Sequence, residues 1–282
     1  MKRTDTNVNG KTPPKVKIHV LLARESPMAV VIRRGPAKQT AVLGWNRRTD
    51  SFEVAQWLKG RIYHYRSDIS PDGKHWIYFA IKEGQTWTVV AKTPWLKALD
   101  FYPKDDAWDG GGLFVSDAAY WLNDRYFANT PEQRKTSQLK VVTGKGPYPP
   151  VIGNSECLGI YFRRLLRDGW IISDTKQDGH EKMWAFRKSL NASWTLVKFF
   201  YTTLKEHKDK GIYYEEHALV NMATGEVFSH EDWEWADVDG KRLVWAEKGF
   251  IRCAEMTENG LAESRDVFDC NPLTFEAHRA PY

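Results

Sequence analysis

Apolar and polar residues alternate in short runs along most of this chain. "VKIHVLLA" (16–23), "MAVVIRR" (28–34), "QTAVLGW" (39–45) and "SFEVAQWL" (51–58) come first. "RIYHYRSD" (61–68), "HWIYFAI" (75–81), "TWTVVAK" (86–92) and "ALDFY" (98–102) repeat the arrangement, with two to six residues between successive runs. A period of two with gaps this short predicts antiparallel strands joined by tight turns. No window of twelve or more residues sustains the i, i+3, i+4, i+7 apolar spacing of a helix, so the expectation is an all-β protein.

The meander recurs, and one kind of turn marks it. Pro71-Asp72-Gly73 separates the first two runs of the second unit, and Asp239-Gly240-Lys241 does so in "ADVDGKRLVWAE" (236–247). Pro presets its own φ and Gly tolerates a positive one, which suits both to a tight reversal. Similar breaks are read at Ser26-Pro27, at Asn123-Asp124 in "AAYWLNDRYFAN" and at Asp168-Gly169 in "YFRRLLRDGWIIS". The markers fall near 27, 72, 124, 168 and 239, at spacings of 45, 52, 44 and 71, and predict five similar units.

The Ser-Pro-Asp-Gly turn at Ser70–Gly73 resembles the junction between the innermost and second strands of WD40-like and TolB-like β-propeller blades. The likeness spans about residues 16 to 270, without the paired Gly-His and Trp-Asp of WD40 repeats proper. It implies a β-propeller of four-stranded antiparallel blades, five in number. Six is the alternative, if the segment at 202–232 and "LTFEAHRAPY" build a further blade. "DWEWADVDGKRLVWAEKGFIRCAEM" also resembles the last blade of uncharacterised bacterial cytoplasmic propellers, some of them parts of multi-protein conflict systems. Physically, a lone meander buries one face, whereas radial packing buries both and leaves only short edges.

Residues 1–15, charged and Pro-containing, read as a disordered tail ahead of one propeller domain over 16–282, with an excursion from the ring at about 202–232. No run approaches the roughly 18 apolar residues of a membrane span, and no apolar stretch follows the basic N-terminus as in a signal peptide, so a cytoplasmic location is expected. Cys157, Cys253 and Cys270 are odd in number and widely spaced, which predicts buried free thiols. The 13 Trp, 12 Tyr and 13 Phe fit half-buried pleated surfaces.

Charge is distributed unevenly. Residues 1–66 carry 14 Lys and Arg against 4 Asp and Glu, and residues 213–282 carry 6 against 15. In a closed ring these ends are neighbours, and their opposite potentials would help seal it. The competing reading is a nucleic-acid surface of Arg33, Arg34, Arg47, Arg48, Arg61 and Arg66 interleaved with Trp45, Trp57 and Tyr63.

Candidate chemistry is sparse. Asp68 and Asp237, at matching places in the repeat, would converge at the central mouth as the two carboxylates of a glycoside hydrolase need to; capping a shared turn explains a recurring Asp better. Asp105, Asp106 and Asp109 in "KDDAWDGGG" could offer oxygens to a calcium ion but lack the spacing of a calcium loop. Glu215, Glu216, His217, His230 and Asp232 could converge if "HALVNMATGEVFSH" is a hairpin, yet show no metal-ligand spacing. No serine elbow, P-loop or dinucleotide turn is present. The expectation is a non-enzymatic scaffold, without metal or cofactor, that presents loops and a central mouth to a protein partner. Trp95, Trp108, Tyr148 and Trp233, in or beside loops, are its candidate binding residues.

Overall fold

The first meander folds as its alternation requires. In the computed structural model, which describes residues 16–36, 38–124, 133–147, 157–179, 181–203 and 211–282, β1 (Lys17–Leu22), β2 (Met28–Arg34), β3 (Thr40–Asn46) and β4 (Ser51–Leu58) pair antiparallel in chain order. β2 is apolar at successive positions because both faces of the sheet are covered. Val20, Val31, Leu43 and Trp45 pack on the last sheet of the chain, and Val30, Ile32 and Val42 on the second.

The second sheet holds β5 (Arg61–Ile62), a 3-10 turn at His64–Arg66, β6 (Asp68–Ile69), β7 (His75–Lys82), β8 (Gln85–Lys92) and β9 (Ala98–Lys104). The third holds β10 (Gly112–Ser116) and β11 (Ala119–Leu122). β12 (Arg134–Lys135) crosses back to the outside of β9, and β13 (Lys140–Val142) pairs parallel to β11. Helix α1 (Leu158–Arg167) follows. The fourth sheet is β14 (Ile171–Asp178), β15 (Glu181–Ser189), β16 (Trp194–Thr203), β17 (Tyr213–Asn221) and β18 (Val227–His230). The fifth is β19 (Trp233–Asp239), β20 (Arg242–Glu247), β21 (Phe250–Thr257), β22 (Gly260–Leu261) and β23 (Arg265–Asp269).

Apolar layers link these sheets into a ring. Ile77, Val90 and Tyr102 of the second sheet meet Phe114, Tyr120 and Leu122 of the third. Ile160 of α1 joins Leu113 and Trp121 of the third sheet, while Tyr161, Phe162 and Leu165 on its other side face Trp184, Phe186 and Phe200 of the fourth. Leu196 and Leu219 continue to Trp233 and Trp245 of the fifth, whose Trp235, Val244 and Ile251 return to the first. Each fully buried aliphatic side chain in these layers contributes about 1.5–3 kcal/mol. The protein is an all-β propeller, with five sheets among the described residues.

The seam between fifth and first sheets is also polar. Arg47 pairs with Asp239, Arg242 reaches Asp50 at 2.8 Å, Arg265 reaches it at 2.5 Å, and the Ile18 amide donates to Glu234 at 2.8 Å. Ion pairs therefore cross the seam, though two of the three arginines belong to the acidic end and bond to an aspartate of the basic end. The chain after β23 then runs back over the first sheet. Arg33 donates to the carbonyls of Cys270 and Leu273, Phe275 packs on Trp57, and the Tyr282 hydroxyl donates to the Lys97 carbonyl at 2.5 Å.

Several expectations change. Residues 213–221 and 227–230, read as part of an excursion, are strands of the fourth sheet, with a hairpin over Thr224-Gly225 as expected. They and residues 273–282 build no sixth blade. "YFRRLL" is helix, not strand. Leu158, Tyr161, Phe162 and Leu165 have helical spacing, but the element is only ten residues long and falls below a twelve-residue window. In the third unit the first turn is Asp117-Ala118, not Asn123-Asp124, because a two-residue reversal there needs neither Gly nor Pro. "RYFAN" (125–129) and residues 1–15 lie outside the described residues.

Candidate functional site at the central mouth

The inner strands end around a cavity of about 460 Å³. β1 contributes Val20 to Leu22 with Ala23 and Arg24 beyond it, β6 contributes Asp68 and Ile69, and β19 contributes Trp235, Asp237 and Val238. On the fourth side α1 takes the place of an inner strand and supplies Tyr161, Arg164, Leu165 and Arg167, with Lys188 of β15 and Lys198 of β16 behind it. α1 stops here for a local reason. Gly169 has φ +87°, the Gly169 amide donates to the Leu166 carbonyl and the Trp170 amide to that of Leu165. This pair of bonds is a Schellman cap.

The carboxylates at the mouth are engaged. Asp68 accepts both terminal nitrogens of Arg167, at 2.6 and 2.8 Å, and the Phe114 amide at 2.7 Å. It thereby ties the second sheet, the third sheet and α1 together. Arg167 also bonds Asp168, at 2.8 and 3.1 Å. Burial pushes the Asp168 carboxyl above its usual range and the nearby charge of Asp68 adds to that, against the pull of Arg167. Asp237 accepts Lys188 Nζ at 2.7 Å. Asp68 and Asp237 thus line one cavity, and each meets a cation of the fold there.

Deeper in, polar groups form a buried layer. Lys198 Nζ lies 2.7 Å from Glu215 Oε2 and 2.9 Å from His217 Nε2, and Glu215 also accepts the Tyr161 hydroxyl. His217 Nδ1 faces the Trp233 carbonyl at 3.0 Å, which assigns the proton to Nδ1 and leaves Nε2 to accept from lysine. Burial, with Lys198 beside it, holds the imidazole well below its ordinary pKa. Arg164 donates to the His64 carbonyl at 3.1 Å, to the Ser67 carbonyl, and to His19 Nε2 at 2.8 Å. His19 and His64 are likewise kept neutral, chiefly by burial, then by Arg164 and Arg34 respectively.

Other expected sites resolve differently. His217 and His230 are cross-strand partners, but the ammonium of Lys198 occupies the space between His217 and Glu215, and His230 stacks on Trp233 at 3.8 Å. Among the described residues no group of three His, Cys, Asp or Glu could hold a metal ion. In the 104–112 loop the carbonyls of Ala107 and Asp109 accept Arg66 Nη1, so a guanidinium fills the interior that a calcium ion would need. Arg33, Arg47 and Arg66 of the basic set are bonded to the fold itself, and Trp45 is fully buried.

The four aromatic candidates do not form one patch. Trp233 is a correction: at 4% exposure, between His230 and Trp245, it is core, because the strand it opens is covered by β17 and β20. Trp108 is 71% exposed in the loop entering β10, at the end of the inner strands away from the cavity. Trp95 is half-buried in the β8–β9 loop on the cavity side, its carbonyl accepting Trp76 Nε1. Tyr148 lies outside the described residues. Arg164 and Arg167 were missed because the segment reads as strand; the R-R-x-x-R spacing on a helical period was the cue.

No family model matches this chain and no curated protein matches it. Among solved structures, an acylaminoacyl peptidase aligns over 91% of this chain and 53% of its own at 11% identity, with a TM-score of 0.32. A prolyl endopeptidase aligns over 89% and 42% at 8% identity (TM-score 0.30), and the WD40 domain of SCAP from fission yeast over 90% and 45% at 7% (TM-score 0.22). The chain spans about half, or less, of each of these three. Superpositions this loose carry no argument about function, and the propeller assignment stands on the ring of sheets.

Proposed function

We propose that this protein is a non-enzymatic scaffold that receives a protein partner at the mouth of its ring, as one member of a multi-protein assembly. The observation that carries this reading is the state of the carboxylates. Asp68 is held by Arg167 and the Phe114 amide, and Asp237 by Lys188, so the mouth offers shape and charge rather than a free acid and base. Inner strands packed on both faces supply a rigid rim, which lowers the ordering cost of binding.

The test is affinity purification of the tagged protein from its native cells at moderate and high salt, alongside Arg24→Glu at the rim and Trp108→Ala at the opposite end. The reading expects a specific protein retained by the wild type and by Trp108→Ala and lost with Arg24→Glu. A set of retained proteins identical in all three would contradict it.

One observation favours a propeller hydrolase instead: the raised pKa of Asp168 beside Asp68. In that case Asp168, not Asp68 or Asp237, is the acid. Turnover of a glycoside or ester panel that Asp168→Asn abolishes without loss of fold would establish it.

A further inference from the structure

The cations at the mouth outnumber the groups that can neutralise them. Arg24, Arg47, Arg164, Arg167, Lys188 and Lys198 line the cavity, against Asp68, Asp168 and Asp237. Two more carboxylates stand behind the wall: Glu215 takes Lys198, and Asp239 takes Arg47 while also pairing with Arg242.

Arg164 is the residue left over. It is 5% exposed, and its partners are two carbonyls, a neutral imidazole and the face of the Tyr161 ring at 4.9 Å, so its hydrogen bonds are met while no carboxylate is bonded to it. Among the described residues it forms no ion pair. Burying a charge against neutral dipoles is costly unless a counter-charge completes the site. At the rim Arg24 is held nearly as loosely: among the described residues its one ionic neighbour is Asp168, at 4.0 Å, and Asp168 is already bonded twice by Arg167. Trp170 is buried, with the ammonium groups of Lys188 and Lys198 at 5.6 and 5.1 Å from its ring. The result is a concave site with a buried guanidinium below and a partly exposed one above.

We propose that the central cavity is a receptor for a small anionic group, a carboxylate or a phosphate, seated between Arg24 and Lys188 over the buried charge of Arg164. This rests on the reading of the mouth as a binding site and adds the chemistry it selects. The two sources of such a group are an acidic side chain of a protein partner and free phosphate. A guanidinium forks onto either.

Titration calorimetry of the whole protein with N-acetyl-hexaglutamate, and separately with inorganic phosphate, tests it. Arg24→Glu is the reporter, since that side chain is partly exposed and outside the buried network. Arg48→Gln, exposed on the turn beside Arg47 but outside the cavity lining, is the control. Expected are saturable binding of at least one anion that weakens with added salt, an about tenfold loss in Arg24→Glu, and no change in Arg48→Gln. Hexaglutamate binding more tightly than phosphate would assign the site to an acidic segment, and phosphate alone would assign it to the free ion. Saturable binding of neither, or equal binding by Arg24→Glu, would overturn the proposal. A cellular partner retained through the rim without anion binding would sink this inference and leave the scaffold reading standing. Anion binding with no partner retained would do the reverse.

Discussion

Asp68 is where structure and chemistry compete most directly. It is 1% exposed and forms a fork with Arg167, itself nearly buried, while also satisfying the Phe114 amide. Removing one member of a buried pair leaves the other uncompensated, so Asp68→Asn should lose about 3–5 kcal/mol in chemical denaturation. A loss under about 0.5 kcal/mol would mean that the pair is not structural. Histidines set a second expectation. His19, His64 and His217 are buried with lowered pKa values, and His75 and His230 are lowered as well. Below the unfolded value near 6.5 the unfolded chain takes up protons that the native state refuses, so stability is complete above that pH and declines as pH falls through it. Asp168, raised, binds its proton more tightly when folded and opposes this with a single group. The unfolding free energy should therefore drop between about pH 7.5 and 5.5, by up to about 1.4 kcal/mol per pH unit for each excess proton, read as a lowered urea midpoint. A flat profile would show that these rings are not held neutral. Asp68 and Asp237 were legible in the sequence because the repeat brings them to one height. Trp233 was misjudged, since a residue beside a turn in sequence is buried when the neighbouring blade overhangs it.

Elements were legible where turn chemistry and alternation agree. β2 and β4 match the alternating runs end to end, and the turns after β1, β6 and β19 fall at their markers. Two places failed for different physical reasons. The β10–β11 reversal uses Asp117-Ala118, which carries no Gly or Pro, and the nearby Asn123-Asp124 has the stronger turn chemistry. α1 failed because its apolar face is also compatible with a short buried strand, and at that length periodicity does not decide. Asp168-Gly169 was rightly read as a break, though it caps a helix. Nothing stands within 4 Å of a Cβ placed on Gly169, so only its positive φ resists substitution. Gly169→Ala should cost about 1 kcal/mol, read as a lowered unfolding midpoint. Gly111 is the contrast: its φ is +78° and a Cβ would lie 2.1 Å from the Arg66 carbonyl. Gly111→Ala should cost several times as much, and equal costs would refute the assignment of strain to backbone contact.

The ring as a whole closes by more than the charge asymmetry suggests. Asp50 gathers Arg242, Arg265 and the Trp45 indole at the seam. Burial opposes its ionisation, but the hydrogen bonds from Arg242 and Arg265 prevail and hold its pKa below the usual value. Its contribution is thus present above about pH 4 and is lost on further acidification. Asp50→Asn should lower stability by about 1–3 kcal/mol and erase that part of the acid transition; a variant with unchanged acid unfolding would place the closure in the apolar layer alone. The number of sheets was legible from five markers even though two of them were misassigned, because spacing near one blade length survives small errors of position. The cavity was not legible. It is assembled by seven separate stretches of chain, one of them a helix standing where a strand was expected.

Under the proposed function, a partner engages the end of the ring where β1, β6, α1 and β19 converge. Hydrogen–deuterium exchange of the protein with and without its retained partner measures this directly. Protection concentrated on residues 22–25, 68–70, 167–170 and 236–240 is the predicted result. Protection confined to the 105–111 loop around Trp108, or to the outer strands of the fourth sheet, would contradict it.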